Sequence, residues 1–378
     1  MVPTYHPAVR YGGPIRSVHG LAAAQARQGH DVHVYTTSMD GPQDLDVALG
    51  TPVKVDGVSV WYFRVPRFRR LHVAPDMARQ LRRDVGGFQV LHLHSVFLWP
   101  TWKAARAAER AGVPYIVAPR GMFVRNLIRT RSRWIKRAWI ALIERRTLAR
   151  AAALHVTAEI EAEELRALGL ACASVVVIPN GVAFPDGEPA PAGGAFESLP
   201  PRYVLFLSRI SWKKGLDRLL QAWVRVPDLT LVIVGNDEEG YRPKLEAAAR
   251  RLGIAHRVLF PGPASDAQKW SLYRHAELFV LPSYSENFGN VVAEAMAMGC
   301  PVVVSPEVGA AGLVTEAGAG LVVSNEPDQL AEAVRGLLAD RELRGRMGQR
   351  GREYARRMLS WDGIAARTEM LYRTVQRA

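Results

Sequence analysis

Two acids eight positions apart, Glu286 and Glu294, precede and interrupt an otherwise apolar run, "SENFGNVVAEAMAMG". An ionised carboxylate in a helix that reads as buried is costly unless a cation or a polar ligand meets it. Asn287, Asn290 and Glu294 are related by i, i+3 and i+7, so a helix from about Gly289 to Gly299 carries them as one polar stripe. Backbone N–H groups of Asn287, Phe288, Gly289, Asn290 and Val291 would stand at its N-terminus, a place suited to anions. A second stretch, "LSRISWKKGLDRLL", supplies the opposite sign: Arg209, Lys213 and Lys214 stand just before a helix starting near Gly215. Arginine offers a planar fork and lysine a point charge, which with a helix dipole suit a diphosphate. The spacing is not that of a P-loop, and no G-x-G-x-x-G follows a strand. Either stretch alone also reads as solvated surface; their opposite charges and matching strand-end positions favour a site.

Three further stretches could carry chemistry. In "YGGPIRSVHGLA", Gly12-Gly13-Pro14 opens a helix, with Gly allowing close backbone approach and Pro sitting where the first turn tolerates it. In "LHLHS", His92 and His94 point to one strand face. A metal pair, a polar site residue at His94 and an ordinary strand end all remain open, with no carboxylate or Cys at ligand spacing. Residues 125–150 set Trp134, Ile135, Ala138, Trp139 and Leu142 at helical spacing beside Arg129, Arg131, Arg133, Lys136 and Arg137. That mixture fits a helix on an anionic membrane, with Arg67, Arg69 and Arg70 extending the patch, and equally a helix with its Trp face in the core.

Short Val/Ile/Leu runs alternate with helical patterns along the whole chain, which indicates parallel sheets covered on both faces. The first series of strands runs through "DVHVYTT", "VSVWYFRV", "VLHLH", "PYIVAP", "ALHVTA" and "SVVVIP". The second runs through "RYVLFLS", "LTLVIVG", "RVLFPG", "LFVLPS", "PVVVS" and "GLVV". Between the series, residues 183–201 hold eight Pro or Gly in nineteen, the composition of a linker. The fold class expected is α/β, with two doubly wound domains, 1–182 and 202–359, facing each other across a cleft. Residues 360–378 form a last helix, placed by position as crossing back to the first domain.

Composition narrows the partners. The 378 residues carry net charge +13, yet residues 1–185 hold 25 Lys and Arg against 13 Asp and Glu, while 186–378 hold 24 against 23. The basic half admits an anionic membrane or a polyanionic substrate; zinc-finger spacing and RNA-binding aromatic patterns are missing, which argues against nucleic acid. No apolar run is long enough to span a bilayer, and "MVPTYHPAVRYGGP" lacks a secretory pattern. Cys172 and Cys300 read as reduced core residues, so the cytoplasm is the expected compartment.

With these motifs in place, the chain resembles glycosyltransferase family 4, retaining nucleotide-sugar enzymes of GT-B fold. "SENFGNVVAEAMAMGCPVV" resembles the family's E-x7-E signature, "SRISWKKGLDRLL" its R-x4-K-G-type loop, "VIPNGV" the end of its first domain, and "SWDGIAARTEMLY" its C-terminal helix. The resemblance implies that Arg209 and Lys214 hold a nucleotide-sugar diphosphate, that Glu294 binds ribose hydroxyls and that Glu286 binds those of the transferred sugar. Gly12 and Gly13 would lie against the phosphates and acceptor, and backbone near Gly235 and Gly262 would meet the base. No cofactor and no metal are implied, since the nucleotide sugar is a co-substrate. The expected activity is hexosyl transfer to a lipid-linked or surface-polysaccharide acceptor, at the inner face of the cell membrane. Two departures stand out: little sequence precedes the GGP loop where a full strand is usual, and Arg120 occupies the place of a family histidine. Arg120 stays protonated, so an electrostatic role replaces that of a base. The rival expectations are a nucleotide-sugar epimerase or phosphorylase of the same fold, and a non-catalytic basic membrane or nucleic-acid binding module.

Overall fold

A computed structural model describes residues 1–8, 12–123, 139–167, 169, 174–185, 187–226, 229–237 and 239–377. The chain divides into two compact units, Met1–Gly181 with Trp361–Ala378, and Val182–Ser360. Each is an α/β unit built on parallel strands.

In the second unit, six parallel strands lie in the order Val258–Gly262, Thr230–Val234, Tyr203–Leu207, Leu278–Leu281, Val302–Val304, Gly320–Val322. The central ones are continuous apolar runs because helices cover both faces: Val204, Leu205, Phe206, Val232, Phe279 and Val303 are all fully buried. The order runs outward from Tyr203–Leu207 in one direction and from Leu278–Leu281 in the other. The reversal lies between these two strands, and loops leaving their carboxyl ends are where doubly wound sheets bind ligands. The stretch 183–201 is a linker by composition, yet Phe184, Ala192, Phe196 and Leu199 pack on this unit. Phe196 enters its core, and Gln268 Nε2 donates to Gly193 O at 3.0 Å.

Among the described residues, the first unit carries two main sheets and the two-stranded hairpin Met39–Asp40 with Gln43–Asp44. Pro52–Val55, Val58–Phe63 and His33–Thr37 form one, with Val58–Phe63 in the middle; Leu91–His94, Tyr115–Ala118, Ala153–Val156 and Ser174–Val177 form the other, all parallel. Residues 1–3 bridge them. Val2 N donates to Tyr35 O at 3.2 Å and Thr37 N to Pro3 O at 3.2 Å, while His94 N donates to Met1 O at 2.9 Å. The short opening segment therefore takes the place of an inner strand for three residues. Beside it the two sheets leave a cavity of about 460 Å3 lined by Val2, Leu21, Tyr35, Leu91, His92 and Tyr372.

The final helix, Trp361–Arg377, belongs to this first unit and packs on the helix Gly13–Arg27. Trp361 is seated against two glycines. A Cβ on Gly20 would come within 2.4 Å of its indole, and one on Gly181 would also come within 2.4 Å. Gly20→Ala and Gly181→Ala are therefore each expected to destabilise the fold by about 1–3 kcal/mol, the usual range for overpacking. Urea unfolding checks this, with Gly86→Ala as control because nothing lies within 4 Å of a Cβ there.

Candidate active site

At the strand reversal of the second unit, two loops lie against each other. The turn Trp212–Lys214 ends at Gly215, whose φ of 65° and missing side chain admit the Pro282 carbonyl. A Cβ at Gly215 would be 2.0 Å from Pro282 O. Tyr284 N donates to Lys213 O at 2.8 Å. Lys214 is buried to 7% exposure and ion-pairs with Glu286 Oε2, joining the residues that the two motifs supplied separately. Glu286 is held from behind: its N–H donates to Glu307 O at 3.0 Å and its carbonyl accepts from Gly309 N at 3.0 Å. Arg209 is exposed and lies on the same loop as Lys214.

Glu294 sits on the helix Asn290–Ala297, which starts after Gly289 at φ 87°. It meets a cation that sequence reasoning missed. Lys269 Nζ donates to Glu294 Oε1 at 2.8 Å, and Tyr273 Oη donates to Oε2 at 3.2 Å. Both partners lie on the helix Asp266–His275 at i and i+4, a one-face spacing that was the available signal. The charge in the apolar helix is thus met first by Lys269. Asn290 is half-buried on the first turn of this helix, while Asn287 lies in the preceding loop. The Phe288 side chain is in the core at 3% exposure, which leaves only its backbone for a ligand. Gly235 N donates to Gly262 O at 3.1 Å, so these two lie together at neighbouring strand ends. Gly235 is a packing glycine as well: a Cβ there would be 1.8 Å from Ser208 O.

The first unit gathers a separate polar cluster at the ends of Leu91–His94 and Tyr115–Ala118. Arg120 donates from Nη1 to Asn180 Oδ1 at 2.8 Å and from Nε to His94 Nδ1 at 3.3 Å. Asn180, from "VIPNGV", is a second residue that sequence reasoning missed. Because His94 Nδ1 accepts, its proton sits on Nε2, and the ring is a donor rather than a base. Burial, then His92 and Arg120, hold its pKa well below the usual histidine value. Arg120 is pushed down by burial to about 10 and keeps its charge at neutral pH. Ser95, Phe97 and Arg120 all adopt left-handed φ, of 74°, 60° and 57°. Such strained backbone gathers at functional sites. Gly12 lies at φ 70° just before the helix Gly13–Arg27, as the GGP motif requires.

His92 lies against the His94 ring, with centroids 4.2 Å apart, but makes its hydrogen bonds elsewhere. Its partners are Tyr372 Oη at 2.8 Å and His155 at 3.2 Å, and His155 Nε2 donates to Ile178 O at 2.9 Å. That terminal carbonyl orders the chain so that each ring accepts on one nitrogen and donates from the other, satisfied while neutral. Among the described residues, no cluster of three or more His, Cys, Asp or Glu could hold a metal. The chain's one Asp-x-Asp, Asp44-Leu45-Asp46, has Asp44 paired with Arg69 at 3.0 Å. Of the basic tryptophan segment, Trp134, Ile135, Ala138, Arg129, Arg131, Arg133, Lys136 and Arg137 lie outside the described residues. Trp139 points inward: its Nε1 donates to the buried Glu144 at 2.9 Å, and its ring meets Trp102 edge-on.

Comparison with known proteins agrees with this architecture. Two Rossmann-like α/β units in one chain are the architecture of the GT-B class. Residues 12–181 match the glycosyl transferase 4-like domain and residues 196–354 match glycosyl transferases group 1. The chain is 30% identical to D-inositol 3-phosphate glycosyltransferase of Xylanimonas cellulosilytica, over 92% of this chain and 88% of that one. It is also 30% identical to phosphatidyl-myo-inositol mannosyltransferase of Mycobacterium leprae, over 96% and 93%. Anabaena HepE, solved with UDP and glucose, superposes with a TM-score of 0.73 at 18% identity, covering 99% of both chains. The chain belongs to the group 1, family 4-type glycosyltransferases, and it is a nucleotide-sugar-dependent glycosyltransferase.

The neutral histidine chain makes stability depend on pH. His155 is pushed down to about 3 by burial, and His92 is lowered well below its usual value for the same reason. The unfolded chain takes up these protons near pH 6.5 while the fold refuses them, so stability is full above that pH and falls as pH drops. The expected loss is about 2 kcal/mol for His155 alone between pH 7 and 5. Urea unfolding at the two pH values measures it, and His155→Asn is expected to flatten the dependence.

Proposed function

We propose that the protein is a retaining, metal-independent hexosyltransferase moving a sugar from a nucleotide sugar to a lipid-linked or saccharide acceptor at the inner face of the membrane. The observation that carries the donor reading is the Lys214–Glu286 pair at the strand reversal of the second unit. Lys214 has three N–H donors, so it keeps Glu286 and still meets phosphate oxygens. Arg209 and the N-terminus of Asn290–Ala297 add positive potential where the diphosphate gains charge as the glycosidic bond breaks. Fixed cations thereby take the part a divalent metal would play. Glu286, oriented by Lys214, accepts from hydroxyls of the transferred sugar. Glu294 has lone pairs left after Lys269 and Tyr273 to accept from ribose hydroxyls, and backbone amides of Asn287 to Gly289 assist. The backbone at Gly235 and Gly262 lines the base, and the GGP turn at Gly12 and Gly13 lies against phosphates and acceptor.

The acceptor side is read from the first unit. Arg120 and the Nε2–H of His94 are donors, which suits an acceptor that brings oxygens and negative charge. Relatives named for inositol 3-phosphate and phosphatidylinositol support a phosphate-bearing or lipid-borne acceptor. The excess of basic residues in 1–185 supports it too.

The test is turnover with UDP-, GDP- and ADP-hexoses in EDTA, offered with inositol phosphate and with lipid-linked acceptors. One donor is expected to be used, with the product anomer by NMR matching the donor's. Arg209→Ala and Glu286→Gln are each expected to lower kcat by about 100-fold or more, the size of losing one preorganised charge contact. Absence of donor turnover or hydrolysis, or full activity in both variants, would overturn the reading.

A further inference from the structure

A loop of the first unit holds a phenylalanine out in solvent among arginines. Residues 64–72 read "RVPRFRRLH", with four arginines and no acid. Phe68 is 72% exposed and Leu71 38% exposed, while Arg64, Arg67 and Arg70 are exposed around them. This placement is built rather than incidental. The turn Arg69–Leu71 is bracketed by two residues in left-handed conformation, Phe68 at φ 53° and His72 at φ 55°. Side-chain-bearing residues adopt that region at a cost, and here it directs the Phe68 ring away from the core.

The turn is also braced from below. Arg69 is the one arginine of the loop that faces inward. It donates to Asp44 Oδ1 at 3.0 Å and to the carbonyls of Gln43 and Gly41 at 2.9 and 3.3 Å. The hairpin Met39–Asp40 with Gln43–Asp44 thus acts as a bracket, and the other three arginines are left to face outward.

We propose that residues 64–72 are a membrane-docking element of this enzyme. Phe68 and Leu71 enter the boundary between headgroups and acyl chains, and Arg64, Arg67 and Arg70 meet anionic headgroups. A single protruding ring needs a preformed pocket on a protein partner, whereas the lipid interface deforms around it. Three cations around an apolar tip match an anionic bilayer in both charge and depth. The inference deepens the reading that the acceptor is membrane-borne and moves the anchor away from Trp139, which faces inward.

The experiment is flotation of the full chain with vesicles of phosphatidylglycerol and phosphatidylcholine, and of phosphatidylcholine alone, at low and high salt and without donor or acceptor. The wild type is expected to float with the anionic vesicles only, and less so in salt. Arg67→Glu with Arg70→Glu, and separately Phe68→Asp, are each expected to weaken binding about tenfold or more. Arg335→Glu with Arg341→Glu, the same charge change at exposed sites of the second unit, is expected to leave it unchanged. Hydrolysis of a soluble donor and the thermal midpoint report that each variant is folded. Failure of the wild type to bind anionic vesicles, or equal binding by the loop variants, overturns the proposal. So does an RNA-binding signal that depends on these arginines while vesicles are ignored. Donor turnover in any of these outcomes leaves the transferase reading standing, so the two fail separately.

Discussion

Leu207 and Leu281 end neighbouring parallel strands, and the chemistry available to the second unit depends on how closely the loops after them approach. Gly215 lets the first loop fold onto the Pro282 carbonyl, and Tyr284 N–H ties the second loop back to Lys213. That contact brings Lys214 onto Glu286. An ion pair with little exposure adds modest net stability, because desolvation offsets most of the attraction. Its effect is orientation: a carboxylate paired with a buried lysine is held in one direction. Lys269 does the same for Glu294 from a neighbouring helix. Two acids that would otherwise be unwelcome in an apolar setting are each paired with a lysine and aimed.

The first unit uses the opposite strategy. Burial keeps His92, His94 and His155 neutral, with His92 and His155 in a hydrogen-bond chain ending on Ile178 O, while Arg120 keeps its charge beside them. Arg120 spends its donors on Asn180 and His94, in a turn whose backbone is left-handed. The result is a donor-bearing cluster, with the buried Glu161 carboxylate held close to Arg120 by the N–H of Gly121.

Much of the fold was legible because parallel strands covered on both faces must be near-continuous Val, Ile and Leu. "YVLFL" and "TLVIV" could scarcely be anything else, and their observed spans fall within the stretches read as strands. The charged motifs were legible for a similar reason, since Lys214 and Glu286 each sit in a loop that leads from a strand to a helix. What escaped were partnerships made only by tertiary packing. Lys269 looks like a solvated lysine in "SDAQKWSLY", and nothing local says that Glu294 lies opposite. Composition also misled where packing decides: residues 183–201 have linker chemistry, yet Phe196 anchors them in the second unit's core. Trp139 had the spacing of an interfacial residue, but a buried Glu144 claims its N–H. The role of Met1–Pro3 as a three-residue bridge depends on two sheets coming together around it, which no local pattern encodes.

The central claim is that the strand reversal of the second unit holds a nucleoside diphosphate, with cations on the phosphates and Glu294 on the ribose. Isothermal titration of the nucleoside diphosphate and of its 2′,3′-dideoxy analogue into the wild type and into Glu294→Gln tests it most directly. The account predicts that the wild type prefers the ribose form by about tenfold or more, as expected when buried polar groups lose their partners, and that Glu294→Gln largely erases the preference. Equal affinities for both ligands in the wild type, or an undiminished preference in the variant, would contradict it.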